Sequence, residues 1–318
     1  MSQFAFPINP ALTAIAMAYR NPEQTLIADA VLPRIPSAQL FKWTKYNTAD
    51  AFTIPDTKVG PKSEPNKVDF KGVELQDSVV DWGLDDLVSN SELEAFAAMP
   101  KPDGSGPLSP EALSVMMIMN LVKLDRELRV ANLVFNTATY PGGNQVTLSG
   151  TSQWSDQVNS NPVTAILAAL DIPLIRPNKM AIGRAAWTQL RSHPKVVQAC
   201  NASFQGAGIA ARQQVADLFE LQEIVVGDSF VNNARRGQTA VMQRTWGKNC
   251  LLYYSNQQAA TERMPVFGFT AQFGQSVAGE IPAPTKGLRG GKLVRAGESV
   301  KEVIAANDVA YYFNSAVA

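Results

Sequence analysis

At 318 residues the chain has room for about two domains, and 46% hydrophobic content with only 18% charged residues marks it as folded and poor in surface charge. Lys plus Arg (28) cancel Asp plus Glu (28), which argues against a generally basic nucleic-acid binder and an acidic disordered chain, and favours self-association. One histidine, His193, and two cysteines, Cys200 and Cys250, leave no means of building a four-cysteine or three-histidine zinc site within one chain, and the cysteines read as small buried side chains in a reducing compartment.

The first nineteen residues carry no charged side chain, but Pro7 and Pro10 interrupt them and the first cation is Arg20, so no signal peptide is expected. The longest apolar stretch, Ala112 to Val122, is broken by Ser114 and Asn120 and is far short of the ~20 residues that span a bilayer. A cytosolic chain is expected. Asn9-Pro10 reads as an N-cap and first helical residue, with a short helix over Ala11 to Tyr19. From Lys42 to Lys71 there are prolines at 55, 61 and 65 and no sustained apolar face, which leaves two readings: disorder, or an extended hairpin without its own core. A strand is expected over Val73 to Trp82 and a short helix over Glu92 to Met99.

Ser109-Pro110-Glu111 starts a helix in which Leu113, Met117, Leu121, Leu124, Leu128 and Ala131 recur at helical spacing, and Met116, Met117 and Met119 read as helix core or helix–helix contact. Extended to Asn136, the helix would be roughly 40 Å long. Asn161-Pro162 opens a shorter helix ending near Leu170. A strand (Lys179 to Ile182), helices near Ala185 to Leu190 and Lys195 to Cys200, a helix over Ile209 to Phe219 and a strand at Glu223 to Val226 follow. Leu251 to Tyr254, Val266 to Phe273, Lys292 to Arg295, Val300 to Ala305 and Val309 to Phe313 read as further strands. The mixture shows neither βαβ alternation nor a run of hairpins, so the expected class is α+β. Residues 1–175 hold 12 basic and 19 acidic side chains, and residues 176–318 hold 16 and 9, a shift that suggests a change of subdomain near 175.

Candidate chemistry is sparse. Gly206-Ala207-Gly208-Ile209-Ala210-Ala211 has dinucleotide-fingerprint spacing, with Asp228 about 20 residues on, but it follows a helix and polar residues where the fingerprint needs a strand. A flexible turn is the stronger reading, and a dinucleotide-binding enzyme using Gly206 and Gly208 is the alternative. Glu74, Asp77, Asp81, Asp85, Asp86, Glu92, Glu94 and Asp103 lack a calcium-loop register and read as a solvated face. Arg235-Arg236 could meet phosphate or a neighbouring subunit, or be plain surface. His193 has neither a nucleophile elbow nor an orienting carboxylate nearby in sequence, so no hydrolase triad is expected. No catalytic residue, cofactor or metal is assigned.

A series of short stretches resembles the major capsid proteins of tailed bacteriophages, with the Hong Kong 97 capsid fold. It runs through Arg126-Glu127-Leu128-Arg129-Val130-Ala131, Leu148-Ser149-Gly150, Trp154-Ser155-Asp156 and Asn161-Pro162. It continues with Pro177-Asn178-Lys179-Met180-Ala181-Ile182-Gly183, Trp187, Leu190, His193-Pro194, Val225-Val226-Gly227, Gly237 and Trp246-Gly247. In order and spacing the series covers about residues 70 to 275.

The resemblance implies an N-terminal arm at 1–41, an extended loop at 42–71, a peripheral domain with the long helix at 72–161, an axial domain at 162–285, and C-terminal strands at 286–318 returning to the peripheral domain. It implies a non-enzymatic structural protein of the virion, assembled in the host cytoplasm. Hexamers and pentamers of this chain would close into an icosahedral shell around double-stranded DNA, held without regard to sequence. Scaffolding, portal and decoration proteins are further partners it allows, and no membrane is involved. A cellular nanocompartment shell of the same fold is the first alternative. The extended loop would gain its burial from a neighbouring subunit, with Trp43, Tyr46 and Phe52 as apolar anchors and Lys58, Lys62 and Lys67 facing acidic surface. Arg235 and Arg236 join these as expected assembly contacts. The acidic first half and basic second half are expected to meet partly across subunit boundaries.

Overall fold

The computed structural model describes residues 6–21, 24–46, 53–61, 63–67, 72–99, 108–201, 208–235, 237–256 and 266–318, with backbone alone at 44–46 and 72. Gly206, Phe52, Lys62, Arg236 and the Tyr46 side chain lie outside the described residues.

Helix α1 (Pro10–Ala18) starts where the sequence sets it: the Asn9 side chain accepts from the Ala11 and Leu12 N–H groups, and Pro10 fills the first turn. A short helix α2 (Ala28–Val31) leads into strand β1 (Arg34–Pro36). Strands β2 (Leu40–Tyr46) and β3 (Gly72–Ser78) pair antiparallel, from Leu40 with Ser78 to Tyr46 with Gly72. This is the hairpin reading of the proline-rich stretch, and its base is a ladder. Strand β4 (Val80–Ser89) runs into α3 (Asn90–Ala97), which a reciprocal Ser89–Glu92 capping box starts. The long helix α4 (Pro110–Val134) has Ser109 as its N-cap and spans about 38 Å.

Two sheets organise the chain. The first has the order β1-β11-β12-β4, with β11 (Gly268–Ala283) and β12 (Gly291–Ile304) forming a long antiparallel pair interrupted by a register shift between Phe273 and Val277. The sequence reading had the outgoing and returning parts of this pair as three shorter strands. Helices α1 and α4 pack on it through Leu12, Ala16, Val115, Met119 and Val122, against Val88, Ala278, Val294 and Ala296.

The second sheet has the order β5-β13-β10-β6-β7, built from β5 (Gln145–Thr147), β6 (Lys179–Gly183), β7 (Glu223–Gly227), β10 (Cys250–Tyr253) and β13 (Ala310–Asn314). Strands β6 and β7 are parallel, and the crossover between them carries α6 (Arg184–Ser192), α7 (Pro194–Cys200) and α8 (Arg212–Leu218). With α5 (Pro162–Asp171) these helices cover one face through Trp154, Ile166, Trp187, Val215 and Phe219. The other face packs Trp246, Tyr253, Phe267 and Tyr312 against residues 27–32 and the end of α4 at Val130 and Val134. A small hairpin, β8 (Phe230–Asn232) with β9 (Met242–Arg244), carries Arg235 in its connection.

Two expectations meet a different arrangement. Sheet membership does not follow chain order: β11 falls within 162–285 yet belongs to the first sheet, and β13 falls within 286–318 yet sits inside the second. Strand partners are non-local, so boundaries drawn along the sequence cut across them. On α4, Met117, read as core or helix contact, faces outward with Leu113 and Leu121, at 69%, 46% and 53% exposure, while Ala112, Val115, Met119, Val122, Val130 and Ala131 are buried. The described acidic run lies on an exposed face, as expected, and several of its members also pair within the chain. Asp85 binds Arg295 at 2.6 Å, Asp77 lies 3.6 Å from Lys301, Glu94 binds Arg289 and Ser299 donates to Asp81. Those contacts join the acidic first half to the basic second half inside one subunit.

Candidate assembly surface

Between β2 and β3 every described residue from 53 to 67 is exposed. The hydrogen bonds holding this loop are local: Asn66 donates to the Asp56 carbonyl at 2.8 Å, the Gly60 N–H donates to Ser63 Oγ at 2.7 Å, and the Lys58 N–H donates to the Asp56 carboxylate. Ile54 stands 89% exposed. Lys58 and Lys67 are exposed with no ion pair among the described residues. A loop with three prolines and no apolar face of its own projects from a ladder it cannot extend, because each proline removes a donor.

The base of the hairpin is anchored on its own subunit. Trp43 and Phe41 meet Phe269 edge-on at 6.3 and 6.4 Å, beside Val79, Ala271 and Val303. Trp43, expected to reach a neighbour, therefore packs on Phe269 of β11, since period-2 alternation along β2 puts both aromatics on the sheet-facing side. Arg235 is exposed in the β8–β9 connection, its carbonyl accepting from the Gln238 N–H. The structure thus brings Trp43 to the subunit core and leaves Lys58, Lys67 and Arg235 on separate outer loops.

The junction of the two sheets is polar and buried. Glu127, with no exposed surface, accepts from the Ile27 and Ala28 N–H groups at 2.7 and 2.8 Å and from the Trp246 indole at 2.5 Å. Burial pushes its carboxyl above the usual range, against the pull of those three donors and of Arg126. Arg126 binds Asp29 at 2.5 Å and the Thr270 hydroxyl at 3.0 Å. Arg34 joins Asp29 to the buried Glu298, and Arg129 joins Glu302 while its guanidinium lies 3.7 Å from the Trp82 ring centre. Burial alone would raise the Asp29 carboxyl, but Arg126 and Arg34 hold it below its ordinary value. In the sequence, Arg126-Glu127 looks like a solvated helical pair. The signal that could have found its role is that Glu127 sits four residues after Lys123 and three before Val130, on the helical face that also carries Val130 and Val134.

His193 is also buried, as the N-cap of α7: its Nδ1 accepts from the Lys195 N–H at 3.2 Å and its Nε2 lies 3.1 Å from Ser160 Oγ. Ser160 Oγ donates to the Asp156 carbonyl, so the imidazole is neutral with its proton on Nε2. The ring orients no nucleophile here; it caps a helix. Gly208 has φ +119°, at a bend that leads into α8.

A β-hairpin arm, a long helix lying on a long antiparallel sheet, and a second sheet under short helices are the parts of a shell-forming capsid subunit, and solved structures share them. The chain superposes on a phage-related protein from Bordetella bronchiseptica RB50 with a TM-score of 0.73 at 22% identity, covering 98% of each chain. On the capsid of the cyanophage P-SCSP1u the TM-score is 0.57 at 13% identity, covering 99% of this chain and 92% of the other. The fold is the α+β Hong Kong 97 type. The family profile described as "Phage major capsid protein E" matches residues 134–266. The major capsid protein of Pseudomonas phage JBD67 is 44% identical over 319 residues, spanning both chains entirely. The chain belongs to the phage major capsid proteins.

Proposed function

We propose that this structural protein assembles in the host cytoplasm as rings of six and five copies that close into an icosahedral shell around double-stranded DNA. The first sheet with α1, α3 and α4 would form the peripheral domain, and the second sheet with α5 to α8 the axial domain. Residues 47–71 would lie on a neighbouring copy, with Lys58, Lys62 and Lys67 toward acidic surface, and Arg235 and Arg236 would contact a further copy. The observation that carries the reading is the loop at 53–67: every described residue in it is exposed, it carries local turn hydrogen bonds, and it belongs to a chain 44% identical to a major capsid protein. Electron microscopy of the purified full-length chain tests it. Closed shells, with or without an added scaffold, are the expected result. A protein that stays monomeric at high concentration overturns the reading, and shells filled with protein cargo and free of DNA overturn its DNA part.

A further inference from the structure

Beyond α1 the chain turns at Tyr19 and Arg20 above the middle of α4, beside the irregularity in β11. An open cavity of about 430 Å³ lies there, with Arg20, Lys123, Gln275, Ser276, Asp29, Arg34 and Glu298 in its lining. Its charged groups differ in how they are paired. Asp29 and Glu298 are taken up by Arg34 at 2.7 and 2.6 Å, and Asp29 by Arg126 as well. Arg20 and Lys123 have no carboxylate within ion-pair distance among the described residues.

Both cations instead donate to one backbone oxygen, the carbonyl of Tyr19, at 3.2 Å from Arg20 and closer from Lys123. Lys123 is half-buried, and burial together with the charges of Arg20 and Arg34 lowers its pKa. An ammonium and a guanidinium converging on a single neutral acceptor leave two N–H groups on Lys123 and four on Arg20 for other partners. Ser276, a largely buried residue, stands in the lining beside them.

We propose that this cavity binds a phosphate-class oxyanion, seated between Lys123 and Arg20 with the Ser276 hydroxyl and the Gln275 amide as further donors. A phosphate accepts from several directions at once and suits a point-charge lysine, whereas a planar carboxylate matches an arginine fork used face-on. The lining carboxylates Asp29 and Glu298 are paired with Arg34 and Arg126, so Arg20 and Lys123 give the described lining a net positive charge. The anion could be free phosphate or a phosphodiester of nucleic acid, and the inference does not depend on shell closure.

The test titrates inorganic phosphate into the purified full-length chain at constant ionic strength set with chloride, read by calorimetry and by melting temperature, with a short DNA duplex titrated in parallel. Wild type should show saturable phosphate binding and a rising melting temperature, with affinity falling about tenfold in Lys123→Met and in Arg20→Gln and largely kept in Lys123→Arg. Circular dichroism of the exposed-site variant Arg20→Gln guards against misfolding as the cause. Duplex binding weakened by the same two variants assigns a phosphodiester source, and duplex binding indifferent to them assigns free phosphate. No response to either ligand, phosphate affinity in both variants equal to that of wild type, or tighter binding of acetate than of phosphate overturns the proposal.

Discussion

Glu127 receives N–H groups from the adjacent Ile27 and Ala28 and from Trp246, so one carboxylate fixes two segments of chain to α4. Glu127→Ala would strand those three buried donors, and the expected loss is about 3–5 kcal/mol of subunit stability in urea unfolding. His193 answers to pH. Burial first, and the positive charge of Lys195 after it, depress its pKa in the folded state, against the partial support of Asp156. Its cap is therefore intact above the unfolded value of about 6.5 and is lost as pH falls below it. As the sole histidine of the chain, it should give the unassembled subunit a stability that falls over the pH window starting at about 6.5 and running down from it. His193→Asn keeps a capping acceptor that does not titrate, so thermal melts across that window should become nearly flat; an unchanged slope would place the proton elsewhere.

On α4 the boundaries were legible and the orientation was not. Ser109 and Pro110 mark the start as local chemistry, but the helix is apolar on two opposite faces, and periodicity alone does not say which one the sheet takes. Replacing Met117 and Leu121 together by Gln should leave the unassembled subunit within about 0.5 kcal/mol of wild type, whereas Met119→Ala should cost about 2–5 kcal/mol. Matched denaturant titrations decide it, and a large loss from the outward pair would reverse the orientation. The strand pair β2–β3 was half legible: the prolines announced a loop without a core, while the aromatic seat of Trp43 on Phe269 depends on a strand more than two hundred residues away. The triple variant Lys58→Glu, Lys62→Glu, Lys67→Glu should keep its circular dichroism and melting temperature yet fail to give particles in sedimentation. Normal particles would make these lysines ordinary surface, and a collapsed melting temperature would tie the loop to the subunit's own core.

At the scale of the whole molecule, both sheets are closed by strands from the far end of the sequence, and that is what a reading along the chain had least means to see. Strand β12 separates β11 from β4 in the first sheet, and β13 separates β5 from β10 in the second. Tyr312 shows what β13 carries: it stacks on Phe135 and Tyr140, and burial pushes its phenol up to about 12. Deleting residues 310–318 should leave β5 and β10 without a shared partner and yield insoluble chain or one without native circular dichroism; a soluble, cooperatively melting product would show the sheet to be redundant there. This placement also sets a clock. At synthesis rates of ~5–20 residues per second, residue 314 is added roughly 16–60 s after the chain begins, and until then neither the hairpin arm nor the long helix stands on a finished platform. A growing chain on the ribosome thus cannot offer its neighbours a completed subunit. Encounters between nascent chains on one message are disarmed by strand order, and the pool from which particles could grow is restricted to chains whose last central strand is in place.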